Sequence, residues 1–220
     1  MESRKGARTR RAILDAVVSC YYKNGYARTT LEKIAAESGL SMGALTYHFP
    51  SITAIIQATI DFVYEERLAK HTRLIRTSLT DSQDFETALE IYWTETVDPT
   101  FVACLELGLA ARTDAALYNV WEPAHAHFRE QWRSRLLELH PKWEGNDQVF
   151  SFAVEYSTHL FEGMAINTLL TRDQPTELQR AIRDYLKDHL ETLQKLSQSG
   201  ATIDSILRPG RRRRARLKST

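Results

Sequence analysis

The chain has 220 residues, is 43% hydrophobic and 26% charged, and carries a formal net charge of +1. That balance suits a globular protein able to bury a core. No run approaches the roughly 18 apolar residues of a membrane span, and no apolar secretory stretch follows the opening Met-Glu-Ser-Arg-Lys, so no membrane partner is expected. Cys20 and Cys104 lie far apart, with neither a disulfide framework nor a metal-ligand spacing. Together these point to a reducing, cytoplasmic compartment.

The charge is unevenly spread. Residues 1–52 carry a net +4, residues 53–207 a net −10 and residues 208–220 a net +7. A basic N-terminal segment can meet phosphates, whereas an acidic body is repelled by them.

In chain order, a first helix is expected over residues 8–24. Ile13, Leu14, Val17, Val18 and Tyr21 form its apolar stripe, and Gly25 follows as a C-terminal cap. Thr29 and Glu32 have the spacing of a capping box that starts a short second helix. Leu31, Ile34 and Ala35 face inward on it. Gly39 ends it where a left-handed backbone costs little, and Leu40 tucks between the elements. Ser41 caps a third helix anchored inward by Leu45 and Phe49, and Pro50 stops it. Met42, Gly43, Ala44, Thr46, Tyr47 and His48 are left outside. Helix, tight turn, helix is the arrangement in which the second helix enters a DNA major groove.

Longer helices follow over residues 53–77, 83–97 and 99–112. A seventh, capped by Thr113-Asp114, runs to residue 140, with a kink expected at Pro123. An eighth covers 147–171 and a ninth 176–199, stopped by Gly200. The expected fold is all-α with about nine helices. It comprises an N-terminal arm and helix-turn-helix head over 1–50, a helical effector-binding and dimerisation body over 51–200, and a basic, disordered tail over 201–220.

The stretch "TTLEKIAAESGLSMGALTYHF", with the preceding "RRAILDAVVSCYYKNGY", resembles the TetR family of transcriptional regulators over about residues 8–60. Gly39-Leu40-Ser41, Gly43-Ala44-Leu45 and Tyr47-His48-Phe49 carry much of the likeness. The later "LELGLAARTD" also looks like a subgroup of these regulators. The resemblance implies a homodimer in which each subunit joins a three-helix DNA-binding head to a body that binds a small effector, with the last two long helices forming the dimer interface. Most members repress. It also implies residue roles: Thr30 as a phosphate contact, Ser41, Met42, Ala44 and Thr46 on the base-facing side of the third helix, and Tyr47 and His48 against the DNA backbone. Two positions depart from the family pattern. Thr46 stands where Tyr is frequent, and Ile52 where many members carry Lys or Arg. Ile52 cannot neutralise a phosphate. The basic arm "SRKGARTRR" offers a substitute.

The partners implied are double-stranded operator DNA and a small-molecule effector. The interface is expected on the eighth helix through Tyr156, Leu160, Phe161, Met164 and Thr168, and on the ninth through Leu178, Ile182, Tyr185, His189, Leu193 and Leu196. The effector pocket is expected at Trp93, Phe101, Trp121 and His159, with Glu106 and Asn167 as polar groups. His125, His127, His140 and His159 do not have metal-ligand spacing, so no metal site or cofactor is expected. No G-x-S-x-G or glycine-rich phosphate loop is present, so no enzyme is expected. The competing class is a helical ligand- or protein-binding module without specific DNA binding.

Overall fold

Burial begins on one side of the first helix. The computed structural model describes residues 4–78, 85–143, 145–171 and 176–207. Helix α1 (Arg4–Asn24) buries Ile13, Leu14, Val17, Val18 and Tyr21, and starts earlier than its apolar stripe. It is followed by a 3-10 turn at Tyr26–Arg28, α2 (Leu31–Ser38), α3 (Met42–His48), α4 (Ile52–Ser78), α5 (Phe85–Thr96) and α6 (Pro99–Ala111). Then come α7 (Ala115–Leu139), a 3-10 turn at Pro141–Trp143, α8 (Asp147–Thr171), α9 (Glu177–Gln198) and α10 (Ile203–Leu207). The described residues are thus all-α, with ten α-helices and no strand.

Two local expectations are corrected. The cap of α2 is Thr30, not Thr29: Thr30 Oγ1 accepts from Lys33 N at 3.4 Å, while the Thr29 hydroxyl turns back to donate to Gly25 O at 2.9 Å. Helix α10 was not expected; Thr202 precedes it and caps its first turn, Oγ1 accepting from Ser205 N at 3.3 Å. The ninth helix does carry a full capping box, between Thr176 and Gln179. The basic residues 208–220 lie outside the described residues.

The chain divides into two compact units, Met1–Leu74 with Thr94–Trp132, and Ile75–Trp93 with Arg133–Thr220. In the first, α1 packs on both α2 and α6, and α2 on α3. Ile13, Ile34, Leu45, Phe49, Ile55 and Leu107 are fully buried there. In the second, α8 packs on α9, with Val149, Phe161, Leu186 and Leu193 fully buried. Removing one such leucine side chain costs about 2–5 kcal/mol.

Candidate nucleic-acid interface

Two left-handed or extended joints set the geometry of the head. Gly39 closes α2 at φ 68° and ψ 20°, a conformation that a Cβ makes unfavourable by about 1–2 kcal/mol. Two residues on, extended Ser41 opens α3, its Oγ accepting from Ala44 N at 3.2 Å. That bond uses an acceptor lone pair and leaves the Ser41 O–H as a donor. Thr30 is in the same position at the start of α2.

Helix α3 has seven residues and one buried member, Leu45; Phe49, its C-cap, is also buried. Arg10 of α1 lies 4.2 Å over the Phe49 ring, a cation–π contact that ties the basic arm to the end of α3. Opposite the anchors, Tyr47 is 84% exposed and Met42 37% exposed. Ser41 and Thr46 are exposed, Ala44 and His48 half-buried. Tyr47 and His48 stand edge to face, with ring centroids 5.2 Å apart. The Thr46 hydroxyl donates to Met42 O at 3.0 Å and lies 3.2 Å from Gly43 O. Its proton is therefore turned inward, and it offers outward a methyl group and acceptor lone pairs.

The surroundings hold contacts that the sequence did not make legible. Ile52 is 41% exposed, and Ser51 Oγ accepts from Ala54 N at 3.1 Å, capping α4 beside it. Lys23 and Ser19 both donate to Glu37 Oε1, at 2.6 and 2.7 Å. Those bonds hold the Glu37 carboxyl below its usual range. Lys33 Nζ donates to Arg28 O at 2.7 Å, fixing a cation beside the α2 cap.

Of the expected effector residues, Phe101, Glu106 and Trp121 belong to the first unit and Trp93, His159 and Asn167 to the second. Glu106 Oε2 accepts from Tyr26 N at 2.8 Å, because α6 passes directly under the turn after α1. Trp121 packs flat on His125, centroids 4.5 Å apart, and sits against Gly108, where a Cβ would be 3.1 Å from its ring. Its Nε1 is buried with no hydrogen-bond partner among the described residues. Burial, then the charges of Arg129 and Arg67, lower the His125 pKa, and Tyr64 Oη lies 3.0 Å from its Nδ1. Phe101 is buried in this unit under Arg67, 5.3 Å away. In the other unit Trp93 is buried, with Arg183 5.1 Å over its ring. His159 and Asn167 project outward from α8 and are exposed. Their spacing along the helix puts them on its outer side, away from buried Phe161 and Ala165. Among the described residues no cluster of three or more His, Cys, Asp or Glu is placed to hold a metal ion. Nor is any helix among the described residues long and apolar enough to cross a membrane.

The family model for bacterial regulatory proteins of the tetR family matches residues 13–59. An uncharacterized HTH-type transcriptional regulator of Mycobacterium tuberculosis is 27% identical over 154 residues, 70% of this chain and 79% of that protein. Among solved structures, a TetR-family transcriptional regulator from Rhodococcus sp. superposes with a TM-score of 0.63 at 17% identity, covering 86% of this chain and 99% of that one. The multidrug binding protein EbrR, solved with imidazole, gives a TM-score of 0.53 at 21% identity, over 84% and 93% of the two chains.

Proposed function

The chain belongs to the TetR family of transcriptional regulators, and from that premise we propose that it is an effector-responsive repressor that binds a pseudo-palindromic operator as a homodimer. The observation that carries the DNA reading is the division of α3. Leu45 and Phe49 are buried, and the rest of this short helix, with Tyr47 84% exposed at its end, faces outward. So short a helix adds little to a core and much to a surface. In this reading residues 1–50 act as the head, Ser41, Met42, Ala44 and Thr46 face bases, and Thr30, Tyr47 and His48 meet phosphates.

The dimer is assigned to the outer sides of α8 and α9. Tyr156, Leu170, Leu178, Tyr185 and Leu196 are large apolar residues left exposed there, and Tyr156 meets His189 edge to face at 5.5 Å. Phe161, Met164 and Leu193, expected on that interface, are instead buried within the chain, since each lies on the side of its helix turned inward. The effector part of the reading draws support from the multidrug binding described for EbrR. A gel shift on DNA upstream of the protein's own gene tests the whole: a retarded, competitor-resistant complex is expected, and binding no tighter than to unrelated DNA sinks it.

A further inference from the structure

Within the first unit, α4, the last turn of α5 and the start of α6 enclose a cavity of about 200 Å³. Drug-sized ligands occupy roughly 300–1,000 Å³. At about 30 Å³ per water, this one has the volume of about seven waters, which suits a molecule of amino-acid size. Its walls are charged and balanced. Arg67, Lys70 and Arg73 supply cations; Glu66, Glu95 and Asp98 supply anions.

Two of the anions already have strong partners. Glu66 pairs with Arg11 at 2.9 Å. Asp98 accepts from Lys70 at 2.6 Å and from Thr100 N at 2.8 Å. Glu95 differs. It is only 6% exposed, its Oε2 lies 2.9 Å from His71 Nδ1, and its Oε1 is buried with no hydrogen-bond partner among the described residues. A buried carboxylate oxygen without a donor is unfavourable, so an N–H reaching Glu95 from the cavity that this residue lines would relieve it. Arg67 is held in place by aromatic rings, its guanidinium 5.3 Å over Phe101 and 5.0 Å over Phe128. Arg73 stands at the exposed rim.

We propose that this cavity binds a small zwitterion, its ammonium donating to Glu95 and its carboxylate met by the guanidinium groups of Arg67 and Arg73. A simple anion meets three carboxylates there and a simple cation meets three basic groups. An apolar molecule desolvates all six without replacing a hydrogen bond. A zwitterion matches both signs. This names a ligand class for the effector and rests on the regulator reading only for its consequence at DNA. That consequence has a short route, because α4 starts four residues after α3 ends and carries both arginines.

Isothermal titration calorimetry on the full chain without DNA tests the binding. Glycine, L-alanine and L-glutamine serve as zwitterionic probes, with acetate and methylammonium as single-charge controls. At least one zwitterion is expected to bind once per chain, more tightly than either control. Glu95→Gln and Arg73→Gln should each weaken it about tenfold or more, equal to about 1.4 kcal/mol. Glu138→Gln, in an exposed pair with Arg135, should leave it unchanged. Because Arg73 is exposed, its variant keeps the test decisive if the buried Glu95 substitution unfolds the protein. Failure of all three zwitterions to bind overturns the proposal, as does undiminished binding by the two variants. A gel shift without probe, run in parallel, separates that failure from a failure of the regulator reading.

Discussion

Glu106, on α6, holds the backbone N–H of Tyr26, at the turn that leads from α1 into the helix-turn-helix, at 2.8 Å. The turn has little room to change. Gly25 has φ 77°, and a Cβ there would lie 3.2 Å from Glu106 Oε2. A charged acceptor on a partly buried backbone N–H is worth about 1.5–3 kcal/mol. Glu106→Ala should therefore lower the stability of the first unit by about 1–3 kcal/mol, and Gly25→Ala should destabilise through strain and the displaced carboxylate together. Urea unfolding checks both. Combined, they should lose less than the sum of the single effects, because they break one contact.

The pH dependence of stability should carry a contribution from His125. Burial, with Arg129 and Arg67 adding to it, depresses its folded pKa below the usual histidine value. The unfolded chain therefore takes up its proton first as pH falls. Stability from this group is fully present above about pH 6.5, the ordinary histidine value, and is lost as pH falls toward the depressed folded pKa. Melting temperatures of wild type and His125→Gln, measured from pH 7.5 to 5, should converge as pH falls. Parallel curves contradict the assignment.

Substitutions on α9 should separate interface from core. Tyr185 and Leu178 are each 69% exposed, while Leu186 is fully buried and Leu193 only 1% exposed. Glutamate at Leu178 and Tyr185 should give a folded monomer in analytical ultracentrifugation. Aspartate at Leu186 should unfold the second unit, because an unpaired charge in a packed core is far more unfavourable than the lost contact. A wild-type monomer at micromolar concentration would remove the dimer from the account.

Removing residues 208–220 should weaken DNA binding without changing sequence preference. The segment carries seven positive charges, and each phosphate it neutralises releases counterions. The slope of log affinity against log salt should become shallower after truncation. An unchanged slope shows that the tail does not touch phosphate.

The head was legible because its signals are local. Stripe, glycine stop, serine cap and proline stop all act within a few residues, so Ile13, Gly39, Ser41 and Leu45 fell where their chemistry demanded. Thr29 misled because Thr30 also has a capping hydroxyl, and only the backbone decides which of two adjacent threonines faces the helix. Glu106 and Leu193 were not legible. One binds a backbone N–H 80 residues away, and the other lies where two adjacent apolar stripes of α9 meet, a buried one with Leu186 and Leu190 and an exposed one with Leu178 and Tyr185. The cavity beside Glu95 gave no motif, since its charges come from three helices and meet only in the fold.

The account rests on α3 being a DNA-reading surface, and fluorescence anisotropy with labelled DNA from upstream of the protein's own gene tests that most directly. Wild type and Tyr47→Ala/His48→Ala are compared at matched salt, with unrelated DNA of equal length as reference. The wild type should bind the upstream DNA selectively. The variant should lose about tenfold or more on both DNAs, since it gives up phosphate contacts and not base contacts. Equal affinity of variant and wild type for the upstream DNA contradicts the account.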